Sequence, residues 1–404
     1  SRDEIIGFHD TGIKKSFKPA TDVLVVMARS IHTNWKQPMG YFFVNNTCQH
    51  QELQEIVFNS IRKAREIGLI VDAIVTDQGP NFYGLSGKLH ITPDNPYFFV
   101  DNEEAVFYMF DTPHLLKSVR NHFFDNHIVT PDGKTDFTYF ETYYQHMKNL
   151  RHRNSYKLTD SHVYPDRFQR MKVRYATQVF SQSVAGGMSL LMSMGKLPED
   201  SGATVELVDK MDKLFDIFNS SPQSELVDKE FTSPYNGNES QVTFLRDMKR
   251  YLQNIKVIQR RTNTEVTRRV KCITGWLINI SVLEALWEKF KSCGKLYTRR
   301  LNQDCLENFF AQVRSCGGSD KNPTPIKFMD AFKKLFCLDY FQHSEGTNCV
   351  EDLDTFLITL DSGTMSAYNF DYLFPEKNVF TPLTVETAEY TNVEYPVENT
   401  LYYI

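Results

Sequence analysis

The stretch RRLNQDCLENFFAQVRSCGG, residues 299–318, decides how this chain is read. Leu306, Phe309, Phe310 and Val313 recur at helical spacing, Asn302 is placed to cap the N-terminus, and Gly317–Gly318 can end the helix. Asp304 and Glu307 fall in its first turns, and their spacing sets them on one side. The helix dipole favours acids there in any protein. A catalytic centre facing that side would also require them, and the rest of the chain decides between the two readings.

Upstream, the chain alternates strand and helix signals. DVLVVMARSI (22–31) and MGYFFV (39–44) are short β-rich runs separated by the polar HTNWKQP, and EIIGFH precedes them as a third antiparallel candidate. CQHQELQEIVFNSIRKAREIG (48–68) places Leu53, Ile56, Val57, Ile61, Ala64 and Ile67 on one helical face and stops at Gly68. LIVDAIVT (69–76) and AVFYMF (105–110) read as buried strands, and each is followed by an aspartate, Asp77 and Asp111. Open α/β sheets carry functional groups at the carboxyl ends of their strands. Each aspartate alone also fits an ordinary turn or N-cap residue.

From roughly 120 to 290 the pattern is mainly helical, interrupted by a polar loop at 219–241. The chain therefore divides into an α/β part, a helical insertion, and the helix of 302–316 that returns to the α/β part. The 404 residues carry a formal net charge of -5, so no global basic field announces a polyanion partner. The distribution is uneven: residues 246–300 hold fourteen Lys/Arg against four Asp/Glu, and residues 345–404 hold eleven Asp/Glu against one Lys. The seven cysteines include no CxxC, which fits reduced thiols and excludes a standard zinc signature. No apolar run reaches the length of a membrane span. A strand begins within a few residues of Ser1, so the sequence reads as part of a longer protein.

A strand-end Asp and a Glu on a helix that returns after a long insertion is how a ribonuclease-H-like fold gathers metal-binding carboxylates. Mg²⁺ wants hard oxygen ligands. Two such ions about 3.5–4 Å apart activate a nucleophile and stabilise a leaving oxygen in phosphoryl transfer. Three or so carboxylates from different elements are needed, because no single element can surround the metals, and an Asp and a Glu more than two hundred residues apart are not specific by themselves.

NQDCLENFFAQVRSCGGSDKNPTP resembles the C-terminal catalytic segment of P-element-type transposases and their domesticated THAP-domain relatives. AIVTDQGPN and FDTPHLLKSVRNH are similar to two further blocks of that family, and ARSIHTNWKQPMGYFF resembles the strand pair ahead of them. The matches run in family order from about residue 20 to 340.

The resemblance implies an α/β, ribonuclease-H-like catalytic domain interrupted by a mainly helical GTP-binding insertion. It places the catalytic, metal-binding (Mg²⁺ or Mn²⁺) carboxylates on Asp77 and Glu307, with Asp304 beside them near the nucleotide or metal. It links the block Asp111, Thr112, Pro113, His114 and Lys117 to GTP. A Lys suits a phosphate, and an Asp can accept from a guanine edge. No GxxxxGK[ST] loop is present. His114 reads as structural support through a ring hydrogen bond.

The family's first catalytic Asp would lie before Ser1; Asp3 and Asp10 are stand-ins, and Asp10 reads better as a turn residue. The arginines at 260, 261, 268, 269, 299 and 300 read as surface charge or as DNA-backbone contacts. Trp35, Trp276 and Trp287 read as core.

The expected domains are 1–118 and 297–344 for the two parts of the ribonuclease-H-like unit, 119–296 for the insertion, and 345–404 for an acidic tail. The expected function is Mg²⁺-dependent DNA cleavage and strand transfer with GTP as an organising cofactor. Transposon ends and target DNA are the expected partners, with a homo-oligomer on DNA, no membrane, and nuclear localisation. The alternatives are a domesticated descendant that binds DNA or GTP without chemistry, and a non-enzymatic interaction module.

Overall fold

A computed structural model describes residues 6–46, 48–148, 158–226, 229–318, 320, 322–337, 355–356 and 399–403. The platform opens with four strands, β1 (Phe8–Asp10), β2 (Lys15–Pro19), β3 (Asp22–Ser30) and β4 (Trp35–Val44). Next come α1 (His50–Glu66), β5 (Ile70–Thr76), α2 (Pro80–Lys88), β6 (Tyr97–Phe98) and β7 (Val106–Phe110). The continuous apolar run of β5 is buried from Val71 onward, as a strand covered on both faces must be.

One expectation needs correction. The stretch HTNWKQP is not a polar connection: the turn is confined to 31–34, and Trp35 to Pro38 are buried strand residues. The register slips between Val26 and Met27, so Pro38 sits beside a bulge, where a missing N–H is tolerated. Ile67 departs as well. It caps α1 and is exposed, because the helix ends at Glu66 before the apolar face would reach it.

The insertion starts with α3 (Thr112–Asp125), β8 (Asn126–Thr130), β9 (Gly133–Lys134), α4 (Phe137–Lys148), α5 (Asp160–Val163), α6 (Val173–Val179) and α7 (Gln182–Ser193). It continues with α8 (Gly202–Phe218), α9 (Glu239–Gln253), β10 (Lys256–Gln259) and α10 (Lys271–Phe290). It is mainly helical, as expected. It also contains a three-stranded antiparallel sheet, β10-β8-β9, whose β8–β9 hairpin turns at Pro131–Asp132. The Trp276 side chain on α10 is fully buried against Phe218 of α8, ring centroids 5.6 Å apart. Trp35 is buried too, and Trp287 is partly buried against Tyr235.

The chain returns through α11 (Asp304–Cys316) and α12 (Pro325–Cys337), then β11 (Thr355–Phe356) and β12 (Asn399–Tyr403). The central sheet runs β2-β1-β4-β3-β12-β5-β7-β6, with β11 beside β4. β3 and β4 are antiparallel, and β5 and β7 are parallel. β12 lies between the two halves, antiparallel to β3 and parallel to β5. Most of the acidic segment 345–404 lies outside the described residues, but its last stretch supplies this central strand. The side chains of Leu306, Phe309 and Val313 on α11 are buried, each stabilising the seating of the helix by about 1.5–3 kcal/mol.

Candidate active site

The site forms where the carboxyl ends of β5 and β7 meet the first turn of α11. Two hydrogen bonds from Gln303 join these elements. Its backbone N–H donates to Asp111 Oδ1 at 2.7 Å, 192 positions away in sequence. Its side-chain Nε2 donates to the Val75 carbonyl at 3.1 Å. The insertion is pinned to the same edge by buried Asn279 of α10. Its Nδ2 donates to the Phe110 carbonyl at 2.6 Å, and its Oδ1 accepts from the Phe110 N–H at 2.9 Å.

Asp77 follows β5 and is half-buried. Its Oδ1 accepts from the Gly79 N–H at 2.6 Å, closing an Asx turn that starts α2. A Cβ at Gly79 would stand 2.9 Å from that oxygen and 2.6 Å from Asn81 Oδ1, so a side chain there would displace the Asp77 and Asn81 side chains. Below it, the Thr76 hydroxyl donates to Tyr108 Oη at 3.0 Å, and Tyr108 donates to the Phe82 carbonyl at 3.0 Å.

Asp111 has a different fate. It is 1 % exposed and caps α3. Its Oδ2 accepts from the His114 backbone N–H at 3.0 Å and the His114 ring Nδ1 at 2.6 Å, while Oδ1 holds Gln303. Burial alone would push this carboxyl up. The His114 ring and the two backbone donors outweigh burial and hold it below the ordinary carboxylate range. Both Asp111 oxygens are thus engaged by the protein, Oδ1 by the Gln303 N–H and Oδ2 by His114.

His114 is a structural support, as expected. Burial pulls its pKa down, but the bond to Asp111 prevails and the ring is held above its usual value. Its Nε2 lies 3.9 Å from Glu307 Oε1. Glu307, partly open to solvent, is pushed above the ordinary range by burial and by the Asp111 charge, with His114 and Lys117 opposing. Asp304 is 7 % exposed and accepts from Arg299 Nε at 2.8 Å. Burial raises its pKa despite that arginine. Asn302 Oδ1 accepts from the Asp304 N–H at 3.1 Å, a turn bond one residue ahead of the helix cap, which is Gln303 rather than the expected Asn302.

Lys117 makes no ion pair or hydrogen bond among the described residues. Burial lowers its pKa, and Asp111, Glu307 and Asp77 oppose that shift. A partly buried ammonium without a fixed partner suits a phosphate. The same region holds two further polar atoms without partners, Thr112 Oγ1 and Gln78 Nε2. Lys117 therefore lies within the fields of both expected catalytic carboxylates.

Among the described residues no group of three His, Cys, Asp or Glu side chains is arranged to hold a metal ion. Asp77 and Glu307 carry carboxylate oxygens, the hard donor type that Mg²⁺ takes. Asp10 is a turn residue whose Oδ1 accepts from the Gly12 N–H at 2.9 Å. Asp3 lies outside the described residues. A cavity of ≈ 590 Å³ in the insertion is lined by Asp132, Asp136, Glu199, Asp200 and Glu206 against Lys134, and by none of the residues above.

The expected arginines divide. Arg300 is buried, donating to the Thr33 carbonyl and Asn34 Oδ1, and Arg299 is committed to Asp304. These two are corrected from surface charge to struts. Sequence reading missed Gln303, Asn279 and the buried Arg29, whose Nη1 donates to the Arg299 carbonyl at 3.2 Å. The polar residue Asn279 within the apolar run Trp276–Ile280 was the signal available for it.

Three domain models match the chain. They are the TNP-like RNase H N-terminal domain at 1–90, the TNP-like GTP-binding insertion domain at 113–234, and the TNP-like RNase H C-terminal domain at 300–333. The Transposable element P transposase of Drosophila melanogaster is 30% identical over 363 residues, 87% of this chain and 46% of that protein. The human DNA transposase THAP9 is 24% identical over 355 residues, 81% of this chain and 38% of that protein. The chain thus spans less than half the length of these curated relatives. The solved Drosophila P element transposase strand transfer complex superposes with a TM-score of 0.70 at 25% identity, covering 82% of this chain and 74% of that one. With a ribonuclease-H-like unit split around a GTP-binding insertion, the chain belongs to the TNP-like, P-element-type transposase family.

Proposed function

We propose that this chain is the core of a DNA transposase of the P-element type. The observation that carries the reading is the return of α11 to the ends of β5 and β7. Gln303 ties that helix to Val75 and Asp111, and Glu307 thereby joins Lys117 at the edge where Asp77 lies. In this reading Asp77 and Glu307 are the catalytic carboxylates and hold Mg²⁺ or Mn²⁺, which would polarise a phosphodiester. Lys117 meets a phosphate of GTP, which organises the complex without being hydrolysed. Asp304 and Arg299 set the floor of the site. Domain limits of 1–118 and 297–344 for the split unit and 119–296 for the insertion fit the reading, with 345–404 as the acidic C-terminal segment. It further assigns transposon ends and target DNA as partners, a homo-oligomer on DNA, and action in the nucleus.

The test is Glu307→Gln in the full-length protein. Loss of strand transfer with retained DNA binding supports the reading, and unchanged strand transfer sinks it. A titration of this chain with GTP, with ATP as competitor, examines the cofactor separately: Lys117→Ala weakens binding if the ammonium meets a phosphate.

One observation favours the domesticated reading, a descendant that binds DNA or GTP without chemistry. β12 fills the central slot beside β5, and its residues Asn399–Tyr403 include no acid. Two-metal chemistry needs a third carboxylate, and that slot is where a neighbouring strand would bring one to Asp77. Metal-dependent cleavage of DNA by this chain alone would exclude the domesticated reading.

A further inference from the structure

Resting on the DNA-acting reading above, we infer that residues 256–271 form a phosphate-contact arm that leads duplex DNA toward Asp77. This segment carries six Lys/Arg, at 256, 260, 261, 268, 269 and 271, against one acid, Glu265. It is built rather than loose. β10 folds back through a hairpin: the Gln259 N–H donates to the Thr264 carbonyl at 2.9 Å, and the Val266 N–H donates to the Val257 carbonyl at 2.8 Å. Asn263 takes the left-handed conformation at its tip. Thr267 Oγ1 accepts from the Val257 N–H at 2.9 Å and so fixes the exit toward α10.

The cations on this frame have separate tasks. Arg260 is half-buried and works internally, with Nη2 3.3 Å from Asp136 Oδ1. Arg261, Arg268 and Arg269 are exposed and have no ion pair among the described residues. A charge run with internal carboxylate partners would be self-neutralised; these three guanidinium groups project a field into solvent. They also have a direction. Lys271, next along the chain, sits with Nζ 4.7 Å from the centre of the Tyr83 ring. The Tyr83 hydroxyl donates to Gln78 Oε1 at 3.3 Å, and Gln78 adjoins Asp77. The exposed arginines thus continue through Lys271 and Tyr83 to the strand end that carries the carboxylate. Contacts of this kind bind the backbone of any duplex, without reading bases.

The experiment measures binding of a fluorescein-labelled random-sequence duplex to the whole chain across a salt series. Each lost phosphate contact removes about 0.9 from the slope of log K against log salt. The triple variant R261A/R268A/R269A is expected to bind more weakly, with a slope shallower by about 2–3, while its thermal melt is unchanged because none of the three side chains has an ion pair among the described residues. The triple Arg→Lys variant is expected to keep most of the slope, since a point charge suffices for a phosphate. A parent that binds with the same affinity and slope as the triple alanine variant overturns the arm and leaves the transposase reading standing. A parent that does not bind duplex overturns both.

Discussion

Asp77 and Asp111 end neighbouring parallel strands in the same way, and the fold uses them oppositely. Asp77 gives one oxygen to its own Asx turn and stays half-buried. Asp111 spends both oxygens on α3 and α11 and is sealed from solvent. The difference lies in what packs above each strand end. Over β7 the first turn of α11 closes down and supplies the Gln303 N–H, whereas the end of β5 is covered by a single glycine turn. Position at a strand end makes an acid eligible for chemistry, and the neighbouring element decides whether it is available.

The comparison breaks most visibly by mutation. Asp111→Ala strands the Gln303 and His114 N–H groups and removes a buried charge partner, so an unfolding titration should show a loss of about 3–5 kcal/mol. Asp77→Ala should cost about 1 kcal/mol or less, the value of one turn hydrogen bond. Equal losses for the two would erase the distinction drawn here. Next in size, Asn279→Leu frees both polar groups of Phe110 and should cost about 2–4 kcal/mol, measured the same way.

The pH dependence sharpens the same contrast, and the sign differs for the two partners. The folded pKa of Asp111 is depressed, so its contribution is present above the ordinary value of about 4 and is lost as pH falls through the lower folded value. The folded pKa of His114 is raised, so its contribution is complete below about 6.5 and is lost as pH rises through the higher folded value. His114→Gln should therefore flatten the fall of stability on the alkaline side of neutrality and, because the His114 ring also holds the Asp111 pKa down, move the acid limb to higher pH. Melts across a pH series read this directly.

The smallest effect concerns Glu307, whose charge is disfavoured in the fold by burial and by Asp111. Glu307→Gln should raise the melting temperature slightly at neutral pH, as expected where function costs stability. A lowered melting temperature would mean that the 3.9 Å approach of His114 outweighs that cost.

Much of the platform was legible because it rests on local periodicity. The apolar runs of β5 and β7, the amphipathic face of α1 and the apolar stripe of α11 each encode their own burial. The strand Trp35–Pro38 was hidden by polar letters, since Lys36 and Gln37 are buried in the sheet rather than exposed on a connection. The β8–β9–β10 sheet was hidden because short strands flanked by helices leave little period to read.

At the site, the sequence alone determined which residue types were available. It placed an aspartate after each of two buried strands, two acids in the first turns of a helix, a lysine one turn and a half after Asp111, and a basic block ahead of α11. Only the tertiary structure decided their use. It buried Arg300 between Thr33 and Asn34 while leaving Arg261, Arg268 and Arg269 in solvent. It closed Asp111 and left Asp77 open, and it brought Asn399–Tyr403 into the middle of the sheet. The physical reason is that hydrogen bonds such as Gln303 to Asp111 join residues 192 positions apart. No local period records which distant donor will arrive, so the availability of a side chain is a property of the packed chain.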